Sequence, residues 1–250
     1  MKLFLLSILL LSCALSLMAQ VDDQVFVSSS TERDTIFAEV PQPMLSIGFS
    51  GGVAFISPDK LNNQIENNNT VFNTDEFPLK RPAQWSFWAA YRPKNLPTFL
   101  TLRAELLSSS RTYTFTTNVT GADPSILTSV QSTSKHTYTV LPFSIGSGSV
   151  IYKTTAKGEI GFIYALAWIT QTTDVPGYSS SETVYEGEGY GFRLNLQQVI
   201  PIERTFSATL DIGYRFIVIN EFRDAKGVSI KNTELDYSGM NLLLGISYGF

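Results

Sequence analysis

From Leu45 onward the chain alternates bulky apolar side chains with small or polar ones, in eight separate stretches. The last stretch is the clearest. Met240, Leu242, Leu244, Ile246, Tyr248 and Phe250 share one parity, while Gly239, Asn241, Gly245, Ser247 and Gly249 share the other, with Leu243 as the exception. Successive side chains on a strand point to opposite faces, so a period of two reads as a strand with one apolar and one polar side. The same scheme recurs with Phe206 to Val218, where Asp211 and Arg215 fall on the polar parity, and with Tyr190 to Leu196, where Arg193 does. It recurs again over Ile160 to Trp168 (Glu159 opposed, Ile163 out of pattern) and over Thr98 to Leu107 (Arg103 and Glu105 opposed). Trp85 to Tyr91 carries it with Trp88 out of pattern, and Leu45 to Phe55 carries it against Ser46, Gly48, Ser50 and Gly52. His136 to Val150 is the weakest, because Pro142 blurs its phase, and an edge or a bulge is expected there.

The connections add a second pattern. Ser57 to Pro82 is long and Asn-rich, Pro93 to Pro97 is short, Thr117 to Lys135 is long, and Tyr152 to Lys157 is short. Thr173 to Gly189, Pro201 to Thr205 and Arg223 to Gly239 continue the alternation of long and short. Outer-membrane barrels have this asymmetry, with short periplasmic turns and longer external loops. The expected fold is therefore all-β, an eight-stranded antiparallel up-and-down transmembrane β-barrel with both ends of the ring on the periplasmic side.

Charge decides which face meets lipid. Arg103, Glu105, Glu159, Arg193, Asp211 and Arg215 all lie on the small-or-polar parity, mixed with glycines. A soluble eight-stranded barrel would have to pack the opposite, aromatic parity into an interior barely wide enough for side chains. Facing the aromatic side to lipid removes that conflict, and a closed ring leaves no unpaired edge in hydrocarbon. Trp85, Trp168, Tyr190 and Phe192 would then form an outer aromatic belt, and Tyr91, Phe206, Tyr248 and Phe250 a periplasmic one. The six charges are expected to pair with one another in the lumen, with Arg193 and Asp211 as an example of opposite signs on facing strands.

The first residues read as an export signal: Lys2, an apolar run from Leu3 to Leu11, and cleavage after Ala19. Leu10-Leu11-Ser12-Cys13 also has the form of a lipobox, but Ala14 to Met18 stays apolar where a lipoprotein turns polar. The expected organisation is a leader over 1–19, a polar N-terminal periplasmic extension over 20–43, and a barrel over 44–250. Cys13 is the sole cysteine, so a chain cut after Ala19 has neither disulfides nor thiolate chemistry. Net charge is −4 and there is no block of basic residues, which argues against nucleic acid as a partner.

The terminal Leu242-x-Leu244-x-Ile246-x-Tyr248-x-Phe250 resembles the C-terminal signal of outer-membrane barrel proteins. That resemblance implies recognition by the barrel-assembly machinery. The chain from about Met44 also resembles the small outer-membrane barrel-domain family of Bacteroidetes, with Val140-Leu141-Pro142-Phe143 similar to a recurring proline-containing strand of that group. The resemblance implies fold and location in the cell outer membrane. It implies no activity, since members of the PorT type have been tied to secretion and others differ.

Candidate chemistry is sparse. His136 is the single histidine, with Ser132 and Ser134 nearby, so a lipid-modifying enzyme working at the outer rim is one reading. A narrow channel along the lumen charges is another. One histidine and scattered carboxylates give no metal-ligand spacing, and no cofactor is expected. Asn62 to Asn69 and Tyr178-Ser179-Ser180-Ser181 read as polar loop tips, and Asn118-Val119-Thr120 has the form of a glycosylation sequon. The leading expectation is a non-enzymatic barrel with a structural, partner-binding or secretion and assembly role. It would act through long external loops, with outer-membrane lipid and an envelope or secretion-system protein as partners.

Overall fold

The computed structural model describes residues 43–250 apart from 57, 73–78, 95, 121–126, 153–155 and 231–234. The expected leader, and all but the last residue of the N-terminal extension, lie outside the described residues.

Eight strands close into an antiparallel ring. In chain order these are β1 (Leu45–Ile56), β2 (Ala83–Tyr91), β3 (Thr98–Thr120), β4 (Leu127–Tyr152), β5 (Ala156–Asp174), β6 (Ser181–Pro201) and β7 (Phe206–Asp224), with two short pieces, β8 (Ser229–Ile230) and β9 (Leu235–Asp236), before β10 (Gly239–Gly249). Each long strand pairs with its neighbour in sequence, and β10 pairs with both β7 and β1 to seal the ring. The phase matches the sequence pattern: Leu100, Leu102, Ile145, Leu244 and Ile246 are exposed on the outer wall, while Ser50, Gln84, Thr209 and Asn241 are buried inside. An apolar outer wall around a polar interior is the arrangement of a barrel that crosses a bilayer.

The residues that break the apolar–polar alternation keep the inward direction. Trp88, Ile163 and Leu243 all point into the lumen and are buried. Trp88 fits because Gly48 faces it across the pair, where a Cβ would collide with the indole ring. Pro142 neither bulges the sheet nor sits at an edge. Its strand keeps one register with β5 through this region, and only the ladder to β3 lapses across Leu141–Pro142. Proline has no N–H to donate, which accounts for a local gap without a shift. The bulges fall elsewhere, between Val150 and Tyr152 and between Glu188 and Gly189.

The long connections differ most from the sequence reading. Much of the segment from Thr117 to Lys135 is strand, since β3 and β4 stay paired from Ser108–Thr139 out to Thr120–Leu127. Likewise β5 and β6 stay paired as far as Thr173–Ser181. Threonine and serine in alternation support extended structure above the bilayer, but with polar groups on the solvent face the segment carries no hydropathy signal. Ser57 to Pro82 contains a helix, α1 (Asp59–Phe72), so Asn62 to Asn69 lies within a helix rather than at a loop tip. Pro58 accepts its first backbone hydrogen bond from Asn62, and Asp59 places an acid in the first turn. Asn62 then fixes the helix to the barrel: its side chain donates to the Leu79 carbonyl and accepts the Leu79 N–H at 2.7 Å.

Candidate functional site

The lumen is filled in three storeys. At the short-turn end Trp88, Ala90 and Phe99 form a buried apolar floor. At the other end Leu107, Val140, Ile163, Ile217, Phe222 and Tyr237 belong to a larger apolar layer, and Leu79 and Leu61 bring the α1 connection onto it. Between the two lie the charges.

All six charged residues singled out in the sequence meet here, each 8% exposed or less. Arg193 Nη1 donates to Glu105 Oε1 at 2.9 Å, and its Nε lies 3.7 Å from Glu159 Oε1. Arg103 Nη2 sits 3.3 Å from Glu159 Oε2 and 3.5 Å from Asp211 Oδ1. Arg215 Nη1 reaches Glu105 Oε2 at 3.6 Å and donates to Gln84 Oε1 at 3.0 Å. Three guanidinium and three carboxylate groups thus neutralise one another, as buried charges require. The expected Arg193–Asp211 contact is not among the ion pairs. Arg193 faces Arg215 across the sheet, four residues along β7 from Asp211, and the cation on Asp211 is Arg103.

Neutral side chains that the sequence reading does not single out complete the network. Gln84 Nε2 donates to Glu105 at 3.0 Å, Arg103 Nη1 donates to Ser86 Oγ at 3.1 Å, and Asn195 Nδ2 and Gln197 Nε2 donate to Asp211 Oδ1 at 2.9 and 3.1 Å. Their signal is their parity: each shares the inward face with a charge on its own or an adjacent strand. Among the described residues, a cavity of about 10 Å³ lies beneath Arg103 and Glu159, near the lower limit for a single water molecule. A groove of about 490 Å³ lies instead on the outer wall, lined by Ile160, Leu194, Leu196, Ile212, Tyr214 and Met240.

The C-terminal signal residues lie on the outer wall. Leu242, Leu244, Ile246 and Phe250 are exposed, and Tyr248 packs edge-on against Phe206 at 4.9 Å and Phe250 at 4.7 Å. Trp85, in the other belt, stacks on Phe49 at 5.7 Å.

His136 stands apart, on the inward face of the β4 extension. It is edge-on to Tyr113 at 5.2 Å and to Tyr138 at 6.3 Å. Ser132 and Ser134 share that face and are buried, and Ser134 Oγ lies 3.4 Å from Thr173 Oγ1. Among the described residues no group of three His, Cys, Asp or Glu side chains converges as a metal site. Outside the membrane-crossing part of β7, Glu221 accepts from Arg223 at 2.9 Å and from Ser229 at 2.6 Å. These two donors hold its carboxyl below the usual carboxylate range.

No protein-family model matches the sequence, and no curated protein does. Among solved structures, the chain is similar to Ail, the attachment invasion locus protein of Yersinia pestis, solved with the heparin analogue sucrose octasulfate (13% identity, 82% of this chain and 96% of that one, TM-score 0.40). It is similar also to the outer membrane protein OprG of Pseudomonas aeruginosa (9% identity, 85% and 99% covered, TM-score 0.44). A third is a major outer membrane protein of Thermus thermophilus (11% identity, 82% and 98% covered, TM-score 0.44). The ring and its register define the class on their own: an eight-stranded transmembrane barrel with a charge-paired, filled lumen.

Proposed function

We propose that this chain is a sealed, non-enzymatic barrel of the outer membrane, of the small Bacteroidetes type, that works through a β-ribbon projecting from its long-loop end. The observation that carries this reading is the contrast between lumen and rim. The interior is packed with paired charges between two apolar layers, whereas β3 and β4 run together well past the apolar wall. Residues Ser109–Thr120 continue beyond the last β2 pairing at Ser108, about 40 Å of strand. Short turns at the opposite end make the ribbon external. An apolar outer wall makes lipid the immediate partner, and the exposed C-terminal stripe suits the barrel-assembly machinery.

The enzyme reading meets a geometric obstacle. His136 lies beyond the apolar wall, five residues past the outward Leu141 on β4 and three past the row where Trp168 of β5 stands opposite Thr139, about 10 Å of strand. Its side chain also faces away from lipid.

The test is complementation of a deletion strain by the full chain and by a chain in which residues 109–138 are replaced with a two-residue Asn-Gly turn. Both are expected to resist detergent until boiled and to leave a planar bilayer silent, and only the full chain restores the envelope phenotype. Full complementation by the shortened chain, or a conducting bilayer, overturns the reading.

A further inference from the structure

The ribbon leaves one edge of β3 without a partner strand among the described residues. Among the described residues, Ser109–Thr120 pair only with β4, because β2 stops opposite Ser108, and α1 packs against β9. Natural edges are blunted by proline, by bulges, by several charges or by brevity. This one has no proline, no bulge, and Arg111 as its one charged residue over twelve positions. It is an open template for strand addition.

Its own sequence says which strand fits. We propose that the free β3 edge pairs antiparallel with the same edge of a second copy of this chain, about a two-fold axis at Thr114, joining barrels in two facing membranes. This rests on the reading of the ribbon as the working part of the molecule. A two-fold centred on a residue keeps the two threonine faces on one side of the joined sheet, whereas a centre between residues would mix the faces. Centred on Thr114, the register sets Thr112 opposite Thr116 and Thr114 opposite its own copy on the solvent face. The other face gains Tyr113 opposite Phe115. Threonine pairs and aromatic pairs are favourable cross-strand partners. Arg111 meets Thr117, so no like charges face each other. A two-fold at Phe115 uses as much of the edge but sets Tyr113 against Thr117 and Thr112 against Asn118.

Direction fixes the location of the partner. In every copy β3 runs away from the short-turn end, so two barrels in one membrane present this strand in the same sense. Antiparallel pairing requires the second barrel to point the other way, and a facing membrane supplies that.

The experiment uses the purified full chain, with Cys13→Ser, reconstituted in phospholipid vesicles and read by turbidity, after each variant has passed the boiled-against-unboiled gel test. Unsubstituted vesicles are expected to tether. Thr114→Lys and Thr114→Glu each place like charges opposite each other at the axis, and tethering falls about tenfold in each alone. Mixing Lys vesicles with Glu vesicles restores it, which neither misfolding nor an unrelated partner would produce. In parallel, Thr114→Cys forms a disulfide-linked dimer by itself, whereas Thr112→Cys does so only when mixed with Thr116→Cys. Tethering by both charge variants at the original level, no recovery on mixing, or equal cross-linking by Thr112→Cys alone overturns the proposal. If it is overturned while the shortened chain still fails to complement, the ribbon serves another partner. If the shortened chain complements, the broader reading falls as well.

Discussion

At the residue scale, each lumen charge is held by at least two other polar groups, charged or neutral, so the network tolerates little. Glu105 joins two of the three guanidinium groups and a neutral donor, accepting from Arg193 and Gln84 and lying within 3.6 Å of Arg215. Glu105→Ala would leave two guanidinium groups buried with one acid fewer. The expected cost is about 3–5 kcal/mol, measured by urea titration of the barrel in lipid vesicles with gel mobility as the readout. A cost below about 1 kcal/mol would mean that water replaces the carboxylate and that the network is slack. Exposed groups should behave differently. Because Arg223 and Ser229 lower the Glu221 carboxyl, its stabilising contribution is complete above its unfolded value near 4.5 and is lost as pH falls through the lower folded value. Hydrogen-exchange protection at Arg223 and Ser229, where β7 and β8 pair, measured against the intrinsic rate that itself slows in acid, is therefore expected to fall in that acid range while the buried lumen stays protected. No change there down to about pH 3 would remove Glu221 from the account of this hairpin.

At the element scale, legibility follows contrast. Strands with lipid on one side and lumen on the other announce themselves, because each position must be apolar or must fit a narrow interior. Trp88, Ile163 and Leu243 fall out of pattern for a related reason: the lumen has apolar floors above and below its charges, so inward does not always mean polar. The outer parts of β3 and β4 see water on one side and carry Ser110, Thr112, Thr137 and Thr139 there, which in a sequence look like loop. Ser110 Oγ and Thr137 Oγ1, 3.3 Å apart, show how such a surface still knits together. The α1 helix is invisible in the sequence because its anchor, the Asn62 bond to Leu79, is a tertiary contact across seventeen residues. A substitution separates the two kinds of strand. Leu244→Arg, midway along β10 on the outer wall and 68% exposed, is expected to cost about 2–4 kcal/mol. Thr116→Arg on the ribbon is expected to leave barrel stability within about 0.5 kcal/mol. Equal effects in vesicle unfolding would place the apolar wall elsewhere.

At the scale of the whole molecule, the ring and its charge cluster are legible because closure fixes so much: eight strands, one parity outward, and charges that must find one another inside. What the sequence does not convey is that the wall is uneven. β10, β1 and β2, of 11, 12 and 9 residues, stand side by side, and the five strands from β3 to β7, of 19 to 26 residues, complete the circle. The mouth therefore has a tall screen around most of its circumference and a low sill on the rest, with α1 following directly from β1 on the low side. Such a molecule has a compass bearing within the plane of the membrane. On that side what comes to the mouth meets the α1 connection, whose Leu61 and Leu79 reach the apolar layer, before it meets the tall strands. Neighbours packed against that side would close the approach as surely as a substitution in the mouth itself, so crowding and azimuth, as well as affinity, govern what this barrel can meet.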